Sequence, residues 1–262
     1  NAASNTETAT GSFTVSASDG IKELVVGGTT LSLADLKTLS TLSPSSAINT
    51  GEGTLKITSY SSTDSDQNAT VSYTYTLNGA QTHNQLTANT SINDGVSITV
   101  NGAGGSTASD TLTIQINDDV PTAVNDGTKA LTEDGTLTVS GNVLTNDSYG
   151  ADGVNTTATT AFSWDANTAA KTELAKYGTL TLDANGNYSF TLNNTSTAVQ
   201  GLQSTDVKTQ ELSYTITDAD GDTSTQHVTI TITGANDSAS VTVANDVLAN
   251  APDSTVYEAG LP

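Results

Sequence analysis

The stretch Leu212–Thr233, LSYTITDADGDTSTQHVTITIT, restricts what this chain can fold into more than any other. Leu212, Tyr214 and Ile216 alternate with polar residues, and after a short break Val228, Ile230 and Ile232 alternate with Thr229 and Thr231. Period two on both sides of a Gly-containing break predicts an antiparallel hairpin with one face buried. The break holds Asp218, Asp220 and Asp222 around Gly221. Carboxylates at every second position repel one another at a hairpin tip unless a cation gathers them. Calcium, which takes roughly six to eight oxygen ligands, suits that need. A plain turn, built from Asp and Gly because both tolerate tight geometry, is the other reading.

Charge narrows the class of partner. The 262 residues carry 28 Asp and Glu against 7 Lys and Arg, a formal net charge of −21. Nucleic acid and anionic membranes are excluded as expected partners, because phosphate contacts need Lys and Arg. Such charge serves solubility as readily as cation binding, so its clustering in loops matters more than its sum. There is no Cys, so stability outside the cell has to come from something other than disulfides, and bound metal is one route. No stretch has the apolar length of a transmembrane helix, and the N-terminus lacks a signal-peptide pattern. The chain reads as a piece of something longer. Its apolar residues are few, at 34%, yet they alternate, which favours a folded β protein over disorder.

Taken in order, Phe13 and Val15, Leu24–Val26, Leu55–Ile57, Val71–Leu77, Val96–Val100 and Leu112–Ile116 read as strands. Ser32–Leu39 reads as a short helix, with Ser32 as N-cap and Asp35 completing a capping-box variant. Asn117-Asp118-Asp119-Val120-Pro121 breaks the pattern and marks a domain border, since Pro121 cannot donate to a ladder. Strands resume at Ala130–Thr132 and Leu137–Val139, joined by a turn at Glu133-Asp134-Gly135. A long loop spans Thr145–Thr160, and the Ala-rich Ala166–Lys176 predicts a short helix. Leu180/Leu182 and Tyr188/Phe190/Leu192 flank Asn185-Gly186, a strong hairpin signal. The two halves end alike, DTLTIQINDD against HVTITITGAND. The expectation is an all-β chain of two tandem β-sandwiches with minor short helices: residues 1–120, residues 121–237, and a tail at 238–262.

The segments YTITDADGDTSTQHVTITITGAND, YGTLTLDANGNYSFTLNN and VLTND resemble the VCBS-type repeat of giant RTX adhesins, which bacteria export by type I secretion. Residues 123–237 carry that resemblance. Residues 8–119, through GSFTVSASDGI, VGGTTLSLADL and LTIQINDDVPTA, resemble the partner module of the same adhesins. The resemblance implies Ig-like or cadherin-like sandwiches strung end to end, with calcium at the junctions, extending an adhesive tip from the cell surface. Val256–Pro262, VYEAGLP, is similar to the opening of the next copy of the first module, which makes this chain about one repeat period. The tail is then expected to be loose, or to pair with an exposed strand edge. The first domain departs from the pattern: its glycine-rich loop, Asn101–Ser106, has no carboxylate where the second domain has DADGD.

Topology places the metal. The strand Gln226–Thr233 runs towards the far end of its domain, so the hairpin loop before it lies where the chain enters from Asn117. Asp218, Asp220 and Asp222 are therefore expected to face Asp118 and Asp119, with Asp126, Asp147 and Asp152 nearby. Unneutralised, these carboxylates let the domains swivel; bound to calcium, they make the joint rigid. The loop is not an EF-hand, since Thr229 stands where that motif needs Glu. Glu133 and Asp134 read as a simple turn. His227 reads as a solvated surface residue and Trp164 as a core one. No nucleophile elbow, P-loop or H-E-x-x-H motif occurs, and enzymatic activity is not expected. The functional expectation is a monomeric, extracellular spacer whose partners are the neighbouring repeats of its own chain. A carbohydrate- or peptide-binding module of the same kind of adhesin is the alternative.

Overall fold

The computed structural model describes residues 7–81, 83, 91–156 and 161–241. The tail at Val256–Pro262 and residues 157–160 of the long loop lie outside them. The chain is all-β, with two short helices and a 3-10 turn at Val143–Asn146 among the described residues.

In the first half, β1 (Thr8–Ser16), β6 (Asn68–Leu77), β5 (Gly53–Ser62) and β4 (Ile48–Asn49) form one sheet in that order. Facing it are β3 (Thr29–Ser32), β2 (Ile21–Val26), β7 (Ser91–Gly102) and β8 (Thr107–Asn117). Alternation decides which residues point inward: Leu55, Ile57, Val71 and Tyr75 from the first sheet meet Leu24, Val26, Val96, Ile98 and Val100 from the second in one core. Helix α1 (Leu33–Thr38) closes a gap with the fully buried Leu36. Ser32 caps it: its hydroxyl accepts from the Asp35 amide, and the Asp35 carboxylate accepts from the Ser32 amide.

The second half has its own core. Strands β10 (Thr138–Asn142), β13 (Asn187–Leu192) and β12 (Gly178–Leu182) make a small sheet. The other sheet runs β11 (Phe162–Trp164), β14 (Val207–Thr217), β15 (Thr223–Thr233) and β9 (Thr128–Thr132). The hairpin expected from alternation is there, with Leu212 opposite Val228 and Thr217 opposite Thr223. Leu212, Tyr214, Ile216, Val228, Ile230 and Ile232 are all 0% exposed. At roughly 1.5–3 kcal/mol for each fully buried large apolar side chain, these six are a large part of their domain's core. Helix α2 (Thr168–Leu174) adds Ala170 and Leu174. Trp164 sits on the edge strand β11, its ring packed edge-on against Phe162, Tyr188 and Tyr214, and its indole N–H donates to the Asp183 carbonyl.

Two loops differ from their sequence appearance. Glu133 is more than a turn residue: it is 2% exposed and accepts from Gln200 Nε2 at 3.0 Å and the Ala235 amide at 2.8 Å. It ties the turn to the segment leaving the domain. The glycine-rich loop of the first half, without a carboxylate of its own, borrows one. Asp19 reaches in from the β1–β2 connection and accepts from the Gly104 amide and, at 2.8 Å, from the Ser106 hydroxyl.

Candidate metal centre

The connector after β8 passes directly into a group of carboxylates. Asp118, Asp119 and Asp152 each present an oxygen within 4.8 Å of the others, and so do Asp152, Asp218 and Asp220. Asp152 and Asp220 thus link the connector to the β14–β15 loop.

Local backbone explains each placement. Asp218 directly follows β14, and its Oδ1 accepts from the amides of Gly221 and Asp222 at 3.1 and 2.8 Å. Gly221, at φ +116°, makes the turn that brings those amides round. Asp218 is fully buried, and its Oδ2 has no hydrogen-bond partner among the described residues; the same holds for both carboxylate oxygens of Asp220. Asp119 is held by the long loop: its Oδ2 accepts from the Ala151 amide at 2.7 Å. Gly150 lies so close beneath that a Cβ there would overlap the Asp119 carboxylate. Thr122 and Ser148 exchange backbone hydrogen bonds at 2.7 and 2.9 Å, fastening the connector to the same loop.

Burial pushes the Asp218 carboxyl up to about 7, and the neighbouring Asp220 carboxyl adds to the shift. Asp152 is pushed up to about 6, first by burial and then by Asp119 and Asp220. Burial also raises Asp118, an effect that His83 opposes.

Asp126 and Asp147 lie outside that grouping. They meet instead at the Tyr214 hydroxyl, 3.1 Å from Asp147 Oδ1, and Asp147 also accepts from the Val124 amide at 2.7 Å. Each keeps one buried oxygen without a hydrogen-bond partner, and burial raises both carboxyls. Asp222 contributes its backbone amide and carbonyl to the turn, and its charge acts on Asp118. His227 is partly exposed, 2.7 Å from Asn125 Nδ2.

One residue without any sequence signal joins the centre. His83, 6% exposed, sets its Nδ1 3.0 Å from Asp118 Oδ1 and offers a ligand atom within 4.8 Å of Asp118 and Asp220. Glu7 lines the same cleft of about 510 Å³, along with Asp118, Asp119 and Asp152. A lone His or Glu in a polar stretch has no periodicity that could have pointed to it.

A hard cation fits this donor set. The buried oxygens of Asp218 and Asp220 have acceptor capacity that no amide or hydroxyl uses, and a multivalent cation takes several such oxygens at once.

Comparison with known proteins agrees with the fold. Residues 118–234 match the family model of the bacterial cadherin-like domain, so this half of the chain has a cadherin-like fold. Cadherin-like domains typically bind calcium, and as adhesion modules they are generally non-enzymatic. Among solved structures, the mouse clustered PcdhgC3 EC1-3 structure is 16% identical, with 76% of this chain and 57% of that one covered, at a TM-score of 0.28. The protocadherin GammaB4 extracellular domain is 12% identical, with 87% of this chain and 39% of that one covered, at a TM-score of 0.29. The chain thus spans between about two fifths and three fifths of their lengths. No curated protein matches the chain. Among the described residues, no helix is long and apolar enough to cross a membrane.

Proposed function

We propose that this chain is a structural extender of a secreted bacterial cell-surface adhesin: two stacked β-sandwiches whose joint calcium makes rigid. Such a segment projects adhesive domains away from the cell for attachment or biofilm formation. The observation that carries this reading is the convergence of Asp118 and Asp119, from the connector, with Asp152, Asp218 and Asp220, from two loops of the second sandwich.

The mechanism is mechanical. Two unit charges about 4 Å apart repel by roughly 1 kcal/mol in water and about 4 kcal/mol near a protein surface. Several such pairs drive the connector away from the loops, and the joint opens. Calcium reverses the sign of that interaction. Asp118, Asp119, Asp152, Asp218 and Asp220 would hold it, while the Asp126–Asp147 pair offers a second, smaller donor set beside Tyr214. Extracellular calcium modules have dissociation constants of roughly 10⁻⁴–10⁻³ M, so the joint is rigid outside the cell and loose where calcium is scarce. The partners are the neighbouring repeats of the same chain, and the module is a monomer that binds neither nucleic acid nor small substrates.

Small-angle X-ray scattering with a thermal melt, in calcium and again in EDTA, tests this. Calcium at about a hundred times its dissociation constant stabilises the folded state by about 2.7 kcal/mol per site. The melting point should rise accordingly, and the distance distribution should narrow to one elongated shape. Asp220→Ala should remove most of both responses. Curves that EDTA leaves unchanged would sink the calcium joint and turn attention to the rival, a carbohydrate- or peptide-binding module.

A further inference from the structure

We propose that the outer edge of β8 is a docking site for one more strand, added in parallel by residues Val256–Pro262 of a second copy of this chain. The inference extends the end-to-end reading above, but it stands on sheet order and not on metal.

The two long hairpins, β7–β8 and β14–β15, are built alike. Each closes on a pair of alternate isoleucines, Ile114 and Ile116 or Ile230 and Ile232, and then runs into an Asn-Asp linker. Their surroundings differ. β15 has a neighbour on each side, β14 and the parallel β9, whereas β8 is the last strand of its sheet. Burial follows that difference: Ile230 and Ile232 are 0% exposed, while Ile114 and Ile116 keep 8% and 7%. Thr229, Thr231 and Thr233 are half-buried, and their counterparts Thr113, Gln115 and Asn117 are exposed. An open edge presents unpaired N–H and C=O groups, which natural sheets blunt with Lys, Pro or a bulge. Residues 111–117 hold no Lys, no Pro and no charge, and they pair with β7 without a register shift. Beside this edge lies the apolar part of the junction cleft, lined by Ala9, Leu77, Ile114 and Ile116.

The sequence names the occupant. β9 runs into Leu131-Thr132-Glu133-Asp134-Gly135, with Leu131 and Glu133 turned inward at 0% and 2% exposure. One other segment has an apolar residue followed by Glu two positions on and Gly four positions on: Val256-Tyr257-Glu258-Ala259-Gly260. Laid on β8 as β9 lies on β15, Val256 takes the place of Leu131, opposite Ile116, and fills the apolar part of the cleft. Tyr257 takes the place of Thr132, opposite Asn117. Direction selects a second copy as the donor. The chain leaves the second sandwich at the end of β15, about 36 Å of strand away from the loop that meets the connector. To lie parallel on its own β8, the segment must run back past that sandwich and then reverse. A copy in line ahead receives it in the running direction. One short strand is a weak contact, so the dilute chain stays monomeric and the contact forms at high concentration or between tandem copies.

Disulfide trapping tests the register, because the protein has no cysteine of its own. Full-length Asn117→Cys and Tyr257→Cys chains are mixed at high concentration in a thiol–disulfide buffer with saturating calcium, which neutralises the connector that Glu258 approaches. Leu42→Cys, at a site 96% exposed and away from this edge, replaces Asn117→Cys as the control. The expected result is a mixed disulfide at least tenfold more abundant than in the control, and reduced to the control level when the Tyr257→Cys chain also carries Val256→Asp. A yield equal to the control, or one that Val256→Asp leaves unchanged, overturns the inference. So does a chain carrying both cysteines that closes on itself at low concentration, since its own segment then covers the edge. A melt that EDTA leaves unchanged sinks the calcium joint alone; a trapped dimer in the same sample keeps the strand contact.

Discussion

Asp218 divides its two carboxylate oxygens between a turn and the proposed calcium site. Its Oδ1 organises the β14–β15 loop through two backbone amides, while its buried Oδ2 has no hydrogen-bond partner among the described residues. The two roles separate on substitution. Asp218→Asn keeps an acceptor for the turn and removes a buried charge, so the metal-free protein should melt no lower than the unaltered one. Its calcium affinity should fall at least tenfold, read by calorimetry. The same carboxyl sets a pH dependence. A folded pKa of about 7 against an unfolded value of 3.8 means that the folded chain binds a proton the unfolded chain releases. Asp152, at about 6, acts the same way. Their contribution to metal-free stability is therefore complete below about pH 4 and is lost as pH rises through about 6 to 7. Calcium should bind more weakly as pH falls through that window; melts in EDTA and in calcium at pH 5 and pH 8 should show opposite trends. Glu133→Ala leaves the Gln200 and Ala235 donors without their acceptor and should cost about 1–3 kcal/mol by urea unfolding. Asp218 and Asp220 were legible in the sequence because alternate carboxylates in a hairpin break form a local pattern. His83 and Asp19 were not, because their partners lie far along the chain and only the fold brings them near.

Among the elements, legibility followed length and locality. The long strands β6, β7, β8, β14 and β15 were recognisable from alternation, because each buries one face. The capping box of α1 was equally plain, since Ser32 and Asp35 are three residues apart; Ser32→Ala should cost about 1 kcal/mol in a chemical melt. Two- to four-residue pieces such as β3, β4 and β11 carry too few positions for a period to register. Trp164 lies on the last of these, where it pairs with Tyr214 across the sheet. The pairing of β9 with β15 had no sequence signal either. It joins residues about a hundred positions apart, and parallel neighbours need no shared turn.

At the level of the whole molecule, two separate cores joined by an acidic connector imply two unfolding events. Calorimetry in EDTA should resolve two transitions. Calcium should move chiefly the one belonging to the second sandwich, which supplies Asp152, Asp218 and Asp220. With 28 acidic residues against 7 basic ones, added monovalent salt should raise both transitions in EDTA by screening repulsion. The parallel β9–β15 pair has a further consequence. The chain enters the second sandwich just before β9 and leaves it just after β15, and the two strands lie side by side in five matched pairs from Thr128/Thr229 to Thr132/Thr233. Tension between the ends therefore pulls one strand lengthwise past the other, and the rungs of the ladder bear the load together instead of opening one at a time. That geometry is a tensile clamp for any load applied between the two ends of this sandwich.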